Sequence, residues 1–115
     1  MNADIKLMLK IYKTDKFDWM GGEIKKVEDL TKHHIDKKEN GGENDISNYA
    51  LLTEESHQLL NYIEEYYPED YIRLNGLFLQ LNRSLEAPTA TYYDEVRCII
   101  KRVRKDMKNK RRGRK

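Results

Sequence analysis

A single cysteine, Cys98, is the feature that most limits how this chain can be stabilised. One cysteine excludes an intrachain disulfide and any zinc site built from several cysteines, so neither kind of cross-link can support the fold. The 115 residues are enough for one domain but too few for a large hydrophobic core with a second domain beside it. Stability must therefore come from packing within one compact domain.

Basic residues are concentrated at the C-terminal end of the chain. Residues 101–115 carry ten Lys and Arg and one Asp, a net charge of +9, whereas residues 1–100 carry a net charge of −7. Such asymmetry is typical of an arm that binds nucleic acid or another anionic surface and is attached to an acidic body. A solubilising tail is the alternative, and charge alone does not distinguish the two.

The sequence has no segment typical of a membrane or secreted protein. No stretch approaches about eighteen consecutive apolar residues, and the first six residues lack the pattern of a signal peptide. We therefore expect a cytoplasmic protein that does not enter the membrane.

The first half of the chain contains the signals of a small β unit. Residues 3–12 fit a period of two as well as a helical stripe, and we favour a short helix. Apolar residues recur over residues 24–35 and predict a strand or two, and residues 49–52 predict a return strand. Between them, residues 36–45 are almost entirely polar and include a Gly-Gly pair, which predicts a surface loop.

Three helices are predicted in the second half. Thr53 is a suitable N-cap for a helix that runs to about Tyr66. Pro68 fits the first turn of a second helix, whose broad apolar face continues through Leu85. Thr91 resembles the first residue of a capping box and marks the start of the last helix.

All three histidines fall in one short window. His33 and His34 are adjacent at the end of the predicted strand, and His57 lies in the first turns of the following helix. Asn48 lies fourteen residues after His34 and nine residues before His57, and the Gly-Gly pair falls within the intervening loop. In order and spacing this segment resembles the HNH family of nucleases, which has the His-Me finger or ββα-metal fold.

The resemblance implies a role for each of these residues. His33 would be a metal ligand and His34 the general base. Asn48 would be the second catalytic residue, because it would brace the loop and orient the base, His34. His57 would be the next metal ligand, and Asn61 stands one helical turn later, where some relatives have a further histidine. Asn61 is therefore the third candidate ligand.

The chain departs from the family pattern around this core. Many HNH proteins carry two Cys-x-x-Cys zinc knuckles. Thr53 and Ser56 occupy the second pair of positions here, and residues 15–21 resemble the first knuckle without its cysteines. The resemblance covers residues 15–62 and implies a variant that lacks zinc knuckles.

Histidine chemistry is compatible with these roles. Phosphodiester hydrolysis needs a cation to neutralise developing charge and a base to deprotonate water, and imidazole can serve either purpose. Neighbouring side chains on a regular strand point to opposite faces, so His33 and His34 can both reach one phosphate only if the strand ends, bends or bulges there. The resemblance implies one divalent cation, and the amide of Asn61 favours Mg²⁺ or Mn²⁺ over Zn²⁺.

We therefore expect an α+β fold. A single HNH-like domain would span residues 1–107, with a ββα-metal core at about 15–65 covered by an amphipathic helical hairpin at about 68–107. Residues 108–115 would form a basic, disordered tail.

The expected function is metal-dependent hydrolysis of DNA phosphodiester bonds, as in nucleases of phages or mobile elements. The alternative is an HNH-fold module that binds nucleic acid or inhibits a partner, for example in phage–host conflict, with little or no nuclease activity. We expect the phosphate backbone to be contacted by basic side chains: Lys32, Lys101, Arg102, Arg104, Lys105, Arg111 and Arg112.

Overall fold

The computed structural model describes residues 2–37, 41–42 and 45–113, with the backbone alone for 111–113. This part of the chain forms four helices and a two-stranded antiparallel sheet, which confirms the α+β class. No helix within it is both long and apolar enough to span a membrane. The elements are α1 (Ala3–Tyr12), β1 (Thr31–His34), β2 (Tyr49–Leu52), α2 (Glu54–Tyr66), α3 (Pro68–Ser84) and α4 (Ala90–Gly113).

Helix α1 resolves the ambiguous periodicity of the N-terminal segment. Its N-cap is Asn2, whose side-chain oxygen accepts a hydrogen bond from the backbone N–H of Asp4 at 2.8 Å. This bond satisfies a donor that the first helical turn leaves without a partner. The residues buried by the helix follow the helical period: Ile5, Met8 and Tyr12.

Strand β1 is shorter than the sequence predicts. The prediction of a strand or two over residues 24–35 is correct only for Thr31–His34. Residues Val27–Asp29 form a 3₁₀ turn instead, closed by a hydrogen bond from the Leu30 N–H to the Val27 carbonyl at 3.2 Å. Val27 and Leu30 are three residues apart, which fits a 3₁₀ turn better than the alternation of a strand.

The two strands lie at the centre of the domain. They pair in antiparallel register, with Thr31 opposite Leu52 and His34 opposite Tyr49. All four residues of β2 are completely buried, and β2 contacts both α2 and α3. The backbone N–H of Trp19 donates to the Leu51 carbonyl at 3.0 Å, so the segment after α1 is also attached to β2.

Helix α3 connects the sheet to the rest of the core. It contacts α2, β2 and α4, as expected for the predicted helical hairpin. The Nδ2 of Asn82 donates to the carbonyls of Ile46 and Tyr49, both at 2.8 Å. The Tyr12 hydroxyl donates to the Asn82 carbonyl. Asn82 therefore holds α1, β2 and α3 together.

Helix α4 begins earlier and ends later than predicted. Its N-terminal cap is Thr89, whose hydroxyl accepts from the Tyr92 N–H at 3.1 Å, and not Thr91. The backbone stays helical through Gly113, so residues 108–113 of the predicted disordered tail continue the helix. Lys and Arg are good helix formers, and no Gly or Pro interrupts the basic run before Gly113. Residues 114–115 lie outside the described residues.

Candidate active site

His33 and His57 lie side by side between the sheet and two helices. Their ring centroids are 5.9 Å apart, with the ring planes nearly perpendicular at 82°. His33 is only 7% exposed, and its ring also contacts Tyr71 and Phe78 of α3 edge-on. The structure therefore brings together the two histidines for which the resemblance to HNH nucleases implies metal binding.

Thr31 sets the orientation of His57. The Thr31 hydroxyl lies 2.8 Å from the His57 Nδ1 and donates to the Leu52 carbonyl at 3.1 Å. Because a carbonyl can only accept, the hydroxyl proton is used there, and the His57 Nδ1–H donates to the Thr31 oxygen. This leaves a lone pair on the His57 Nε2. Burial lowers the pKa of His57, which favours the neutral imidazole that a metal ligand requires.

Asn75 of α3 holds His33. The Nε2 of His33 lies 2.9 Å from the Asn75 Oδ1 and donates to it, so the remaining lone pair is on Nδ1. Burial lowers the pKa of His33 to about 4, and the Asn75 hydrogen bond opposes this shift only in part. Repulsion from a protonated His57 also lowers the pKa of His33. His33 is therefore neutral at pH 7.

His34 has different surroundings from His33. It is the last residue of β1, and its ring packs edge-on against Tyr49 with centroids 5.0 Å apart. Consecutive side chains of β1 alternate between the faces of the sheet, so His34 faces away from the His33–His57 pair. The strand ends at His34 and the chain bends at Ile35, which meets one of the conditions under which both histidines can approach the same phosphate.

Asn48 braces the loop that follows β1. Its Oδ1 accepts from the Asp36 N–H at 2.8 Å, and its Nδ2 donates to the Asp36 carbonyl at 2.7 Å. The Ile35 N–H donates to the Asn48 carbonyl at 2.8 Å. These bonds fix the chain directly after His34.

Asn61 lies on α2 one helical turn after His57 and is exposed to solvent. Positions four residues apart lie on the same side of a helix, so Asn61 is on the side that carries His57. In the described residues no group of three or more His, Cys, Asp and Glu side chains is placed to hold a metal ion. Within these residues, His33 and His57 therefore do not by themselves make a complete set of protein ligands.

A buried carboxylate occupies the place where the sequence resembles zinc knuckles. Asp18 is completely buried, and its Oδ1 accepts from the N–H groups of Met20 and Gly22, both at 2.8 Å. Its Oδ2 accepts from the Thr53 N–H at 2.9 Å and from the Thr53 hydroxyl at 2.8 Å. Asp18 therefore joins the two knuckle-like segments, which lack cysteines, by hydrogen bonds.

Two of the basic side chains predicted to contact phosphate have acidic partners within the chain. The Lys32 Nζ lies 3.8 Å from the Asp4 carboxylate and 4.7 Å from the centre of the Tyr49 ring. Arg102 forms an ion pair with Asp70 of α3. Both cations are thus partly neutralised before any ligand binds.

The other predicted contacts lie on α4. Lys101, Arg104 and Lys105 are exposed on the helix surface. The side chains of Arg111 and Arg112 lie outside the described residues.

Two residues of the site have no role in the sequence prediction. Thr31 precedes His33 by two positions on the same strand, so strand alternation could have placed it on the same face. Asn75 lies on another helix, 42 residues beyond His33, and no local pattern connects them.

Residues 21–61 match the family model described as HNH endonuclease. The match includes all three histidines, Asn48 and Asn61, and it confirms the resemblance of this segment to the HNH family. No curated protein and no solved structure matched the chain. The family indicates a nuclease or nucleic-acid-related function, and HNH proteins typically use a divalent metal ion.

Proposed function

We propose that this protein is a metal-dependent endonuclease that hydrolyses DNA phosphodiester bonds. The observation that carries the proposal is the His33–His57 pair, in which two adjacent imidazoles have lowered pKa values. Each ring is oriented by another side chain: Asn75 orients His33, and Thr31 orients His57. Neutral, oriented imidazoles can bind a divalent cation, and such outer hydrogen bonds are typical of metal-bound histidines.

His33 and His57 would hold one divalent cation, with Asn61 or water supplying a further oxygen. When bound, the cation neutralises charge on the scissile phosphate and on the leaving oxygen. With only two nitrogen donors in the pair, the site favours Mg²⁺ or Mn²⁺, which bind through oxygen ligands and keep several waters.

His34 would accept a proton from the attacking water. As the last residue of β1, it borders the bend at Ile35, where the regular alternation of strand side chains ends. Asn48 keeps this position constant through its paired hydrogen bonds with Asp36. The proton accepted by the His34 ring would leave to solvent after cleavage.

A plasmid-nicking assay tests the proposal. Purified protein should nick supercoiled DNA with Mg²⁺ or Mn²⁺ and lose this activity with EDTA. His57→Ala should lose both cleavage and metal affinity, whereas His34→Ala should lose cleavage and keep its metal affinity. Lys10→Ala, an exposed change on α1, serves as the control and should retain both. Equal loss of metal affinity in the two histidine variants would contradict the role of His34 as the base.

A second function is favoured by the closed environment of His33. With 7% exposure and its Nε2 bonded to Asn75, this ring is largely enclosed by protein. The alternative is an HNH-fold module that binds nucleic acid or inhibits a partner, with little or no cleavage. Such a module would not need the His33 ring to be accessible to a metal ion. Persistent duplex binding without nicking in any of Mg²⁺, Mn²⁺, Zn²⁺ or Ni²⁺ would favour this alternative over the nuclease.

A further inference from the structure

An open groove of about 380 Å³ separates α4 from the turn at Gly21–Gly22 and the beginning of α2. Its α4 side carries three exposed cations, Arg97, Lys101 and Arg104. They occupy positions i, i+4 and i+7, which lie on one face of a helix. We call it the α4 groove and define it by six of its lining residues: Gly21, Gly22, Ser56, Arg97, Lys101 and Arg104.

The cations of the α4 groove are not neutralised within the described part of the chain. None of the three forms an ion pair there, in contrast to Arg102 with Asp70. Arg97 is positioned by aromatic rings, with its guanidinium carbon 5.3 Å from the centroid of Tyr93 and 5.8 Å from that of Phe17. Like charges held in one groove repel each other, and a bound anion relieves that repulsion.

The glycine turn shapes the opposite wall of the groove. A Cβ atom at Gly22 would lie only 2.6 Å from the Ser56 Oγ and 2.9 Å from the Asp18 Oδ2, so the close approach of this turn to α2 requires glycine. Gly21 has a φ of +81°, and a Cβ there would lie 3.4 Å from the Arg97 Nε. The N–H groups of both glycines donate to Asp18, so the groove offers side-chain cations rather than backbone donors.

We propose that the α4 groove binds successive phosphate groups of a nucleic-acid backbone. Arginine guanidinium groups match phosphate oxygens in a bidentate manner. The seven-residue interval from Arg97 to Arg104 spans about 10 Å of helix. One strand of B-form DNA places a phosphate about every 3.4 Å along its axis, so the span is comparable with three phosphates.

Arg97 is an additional candidate for phosphate contact that the charge pattern of the sequence does not indicate. Arg97 lies before the basic run that begins at Lys101, within an otherwise acidic part of the chain. Ser56 lines the groove and the next residue, His57, faces β1, so the groove and the histidine pair flank the same end of α2. The inference rests on the proposed nucleic-acid function but does not require cleavage.

Duplex binding at several salt concentrations tests the groove. Anisotropy of a labelled DNA duplex in EDTA excludes cleavage from the measurement. The variant with Arg97→Gln, Lys101→Gln and Arg104→Gln should bind at least tenfold more weakly at low salt, and the slope of log K against log salt should flatten by about 2 to 3. The control with Lys6→Gln, Lys10→Gln and Arg83→Gln removes three exposed cations elsewhere and should retain both values.

Further variants separate charge from folding. Arg97→Lys with Arg104→Lys keeps the charge and should keep most of the salt slope. If the triple variant melts well below the wild type, Arg97→Gln alone is used, with an expected flattening of about 0.9. Equal duplex affinity and slope for the groove variant and its control would overturn the proposal.

Titration with inorganic orthophosphate distinguishes the source of the phosphate. Micromolar orthophosphate binding that depends on the groove, with no effect of the groove on duplex affinity, would also overturn the proposal in favour of a small-molecule site. Groove-dependent duplex binding by a protein that does not nick DNA with any of Mg²⁺, Mn²⁺, Zn²⁺ or Ni²⁺ would support the groove and contradict the nuclease function. The two proposals can therefore fail separately.

Discussion

The carboxylate of Asp18 accepts both the backbone N–H and the side-chain hydroxyl of Thr53, at 2.9 and 2.8 Å. Thr53 is the N-cap of α2, and its hydroxyl in turn accepts from the Ser56 N–H at 3.2 Å. Since His57 lies in the first turns of α2, Asp18 fixes the start of the helix that presents a candidate metal ligand. A negative charge beside a helix N-terminus is also favoured by the helix dipole.

We expect Asp18→Asn to destabilise the protein by about 2 to 4 kcal/mol, because hydrogen bonds to a buried charged acceptor contribute more than neutral ones. Each carboxylate oxygen of Asp18 accepts two of the four hydrogen bonds. Asparagine keeps only one acceptor oxygen, so at least two of these bonds are lost. Urea unfolding of the metal-free protein measures the change. Asp15→Asn, at an exposed position in the same segment, is the control and should change the free energy of unfolding by less than about 0.5 kcal/mol. Similar effects for the two variants would show that Asp18 does not join the segments.

The Thr31–His57 hydrogen bond leads to a prediction about metal affinity. Thr31→Val removes the acceptor of the His57 Nδ1–H and frees the ring to change its tautomer or orientation. Loss of such an outer partner typically costs 10- to 100-fold in metal affinity, so we expect Mn²⁺ binding to weaken by about tenfold or more. Calorimetric titration with Mn²⁺ provides the measurement.

Two variants test whether the Thr31 hydroxyl is responsible. Thr31→Ser keeps the hydroxyl and should bind Mn²⁺ nearly as tightly as the wild type. Thr91→Val makes the same chemical change at an exposed position of α4 and should have no effect. Weak binding by Thr31→Ser would attribute the loss to packing rather than to the hydrogen bond.

His33 should make the stability of the metal-free protein depend on pH. Its pKa is about 4 in the folded protein and 6.5 in the absence of burial, so the unfolded chain binds the proton more readily. The stabilising contribution is present above pH 6.5 and is lost as the pH falls toward 4. The burial of His57 acts in the same direction.

Unfolding at several pH values in EDTA measures this dependence. Between pH 6.5 and 4, His33→Gln should lose less stability than the wild type, by an amount on the order of 3 kcal/mol. The comparison with His33→Gln removes the common effect of carboxylate protonation. Parallel stability curves, or an NMR titration of His33 centred near 6.5, would contradict the burial of a neutral ring.

Local signals predicted most of the fold. Thr53 and Pro68 are at the N-termini of α2 and α3, where a capping hydroxyl and a residue without an N–H donor are favoured. Residues 3–12 were ambiguous because ten residues fit both periods, and burial of one helical stripe decides between them. The sequence predicts Thr91 as the cap of α4, but the cap is Thr89, a second threonine that lies two positions earlier.

The side-chain partners of the site could not be predicted in the same way. The spacing of the motif includes His33 and His57, and these two rings do meet. The partner of His33 is Asn75, whose position depends on how α3 packs against the sheet and not on any local pattern. Asp18 has four hydrogen-bond donors that come from two distant segments, and only the folded chain brings them together.

The position of Asn61 predicts the metal preference of the site. A site with three imidazoles suits Zn²⁺, Ni²⁺ and Cu²⁺, whereas an amide oxygen and water leave room for a harder ion. Mg²⁺ or Mn²⁺ should therefore support cleavage better than Zn²⁺. Asn61 is exposed and one helical turn beyond His57, so a longer ring can be introduced there without disturbing the core.

We expect Asn61→His to add a nitrogen ligand on the side of α2 that carries His57 and to tighten Zn²⁺ binding by about tenfold or more. Mn²⁺ binding should change much less, because that ion gains little from exchanging oxygen for nitrogen. Titration of both proteins with Zn²⁺ and Mn²⁺ is the measurement, and Gln58→His is the control, since position 58 is exposed but lies about 100° around the helix from His57. Equal zinc affinities for Asn61→His and the wild type would mean that Asn61 is directed away from the cation, which leaves His33 and His57 as the protein ligands.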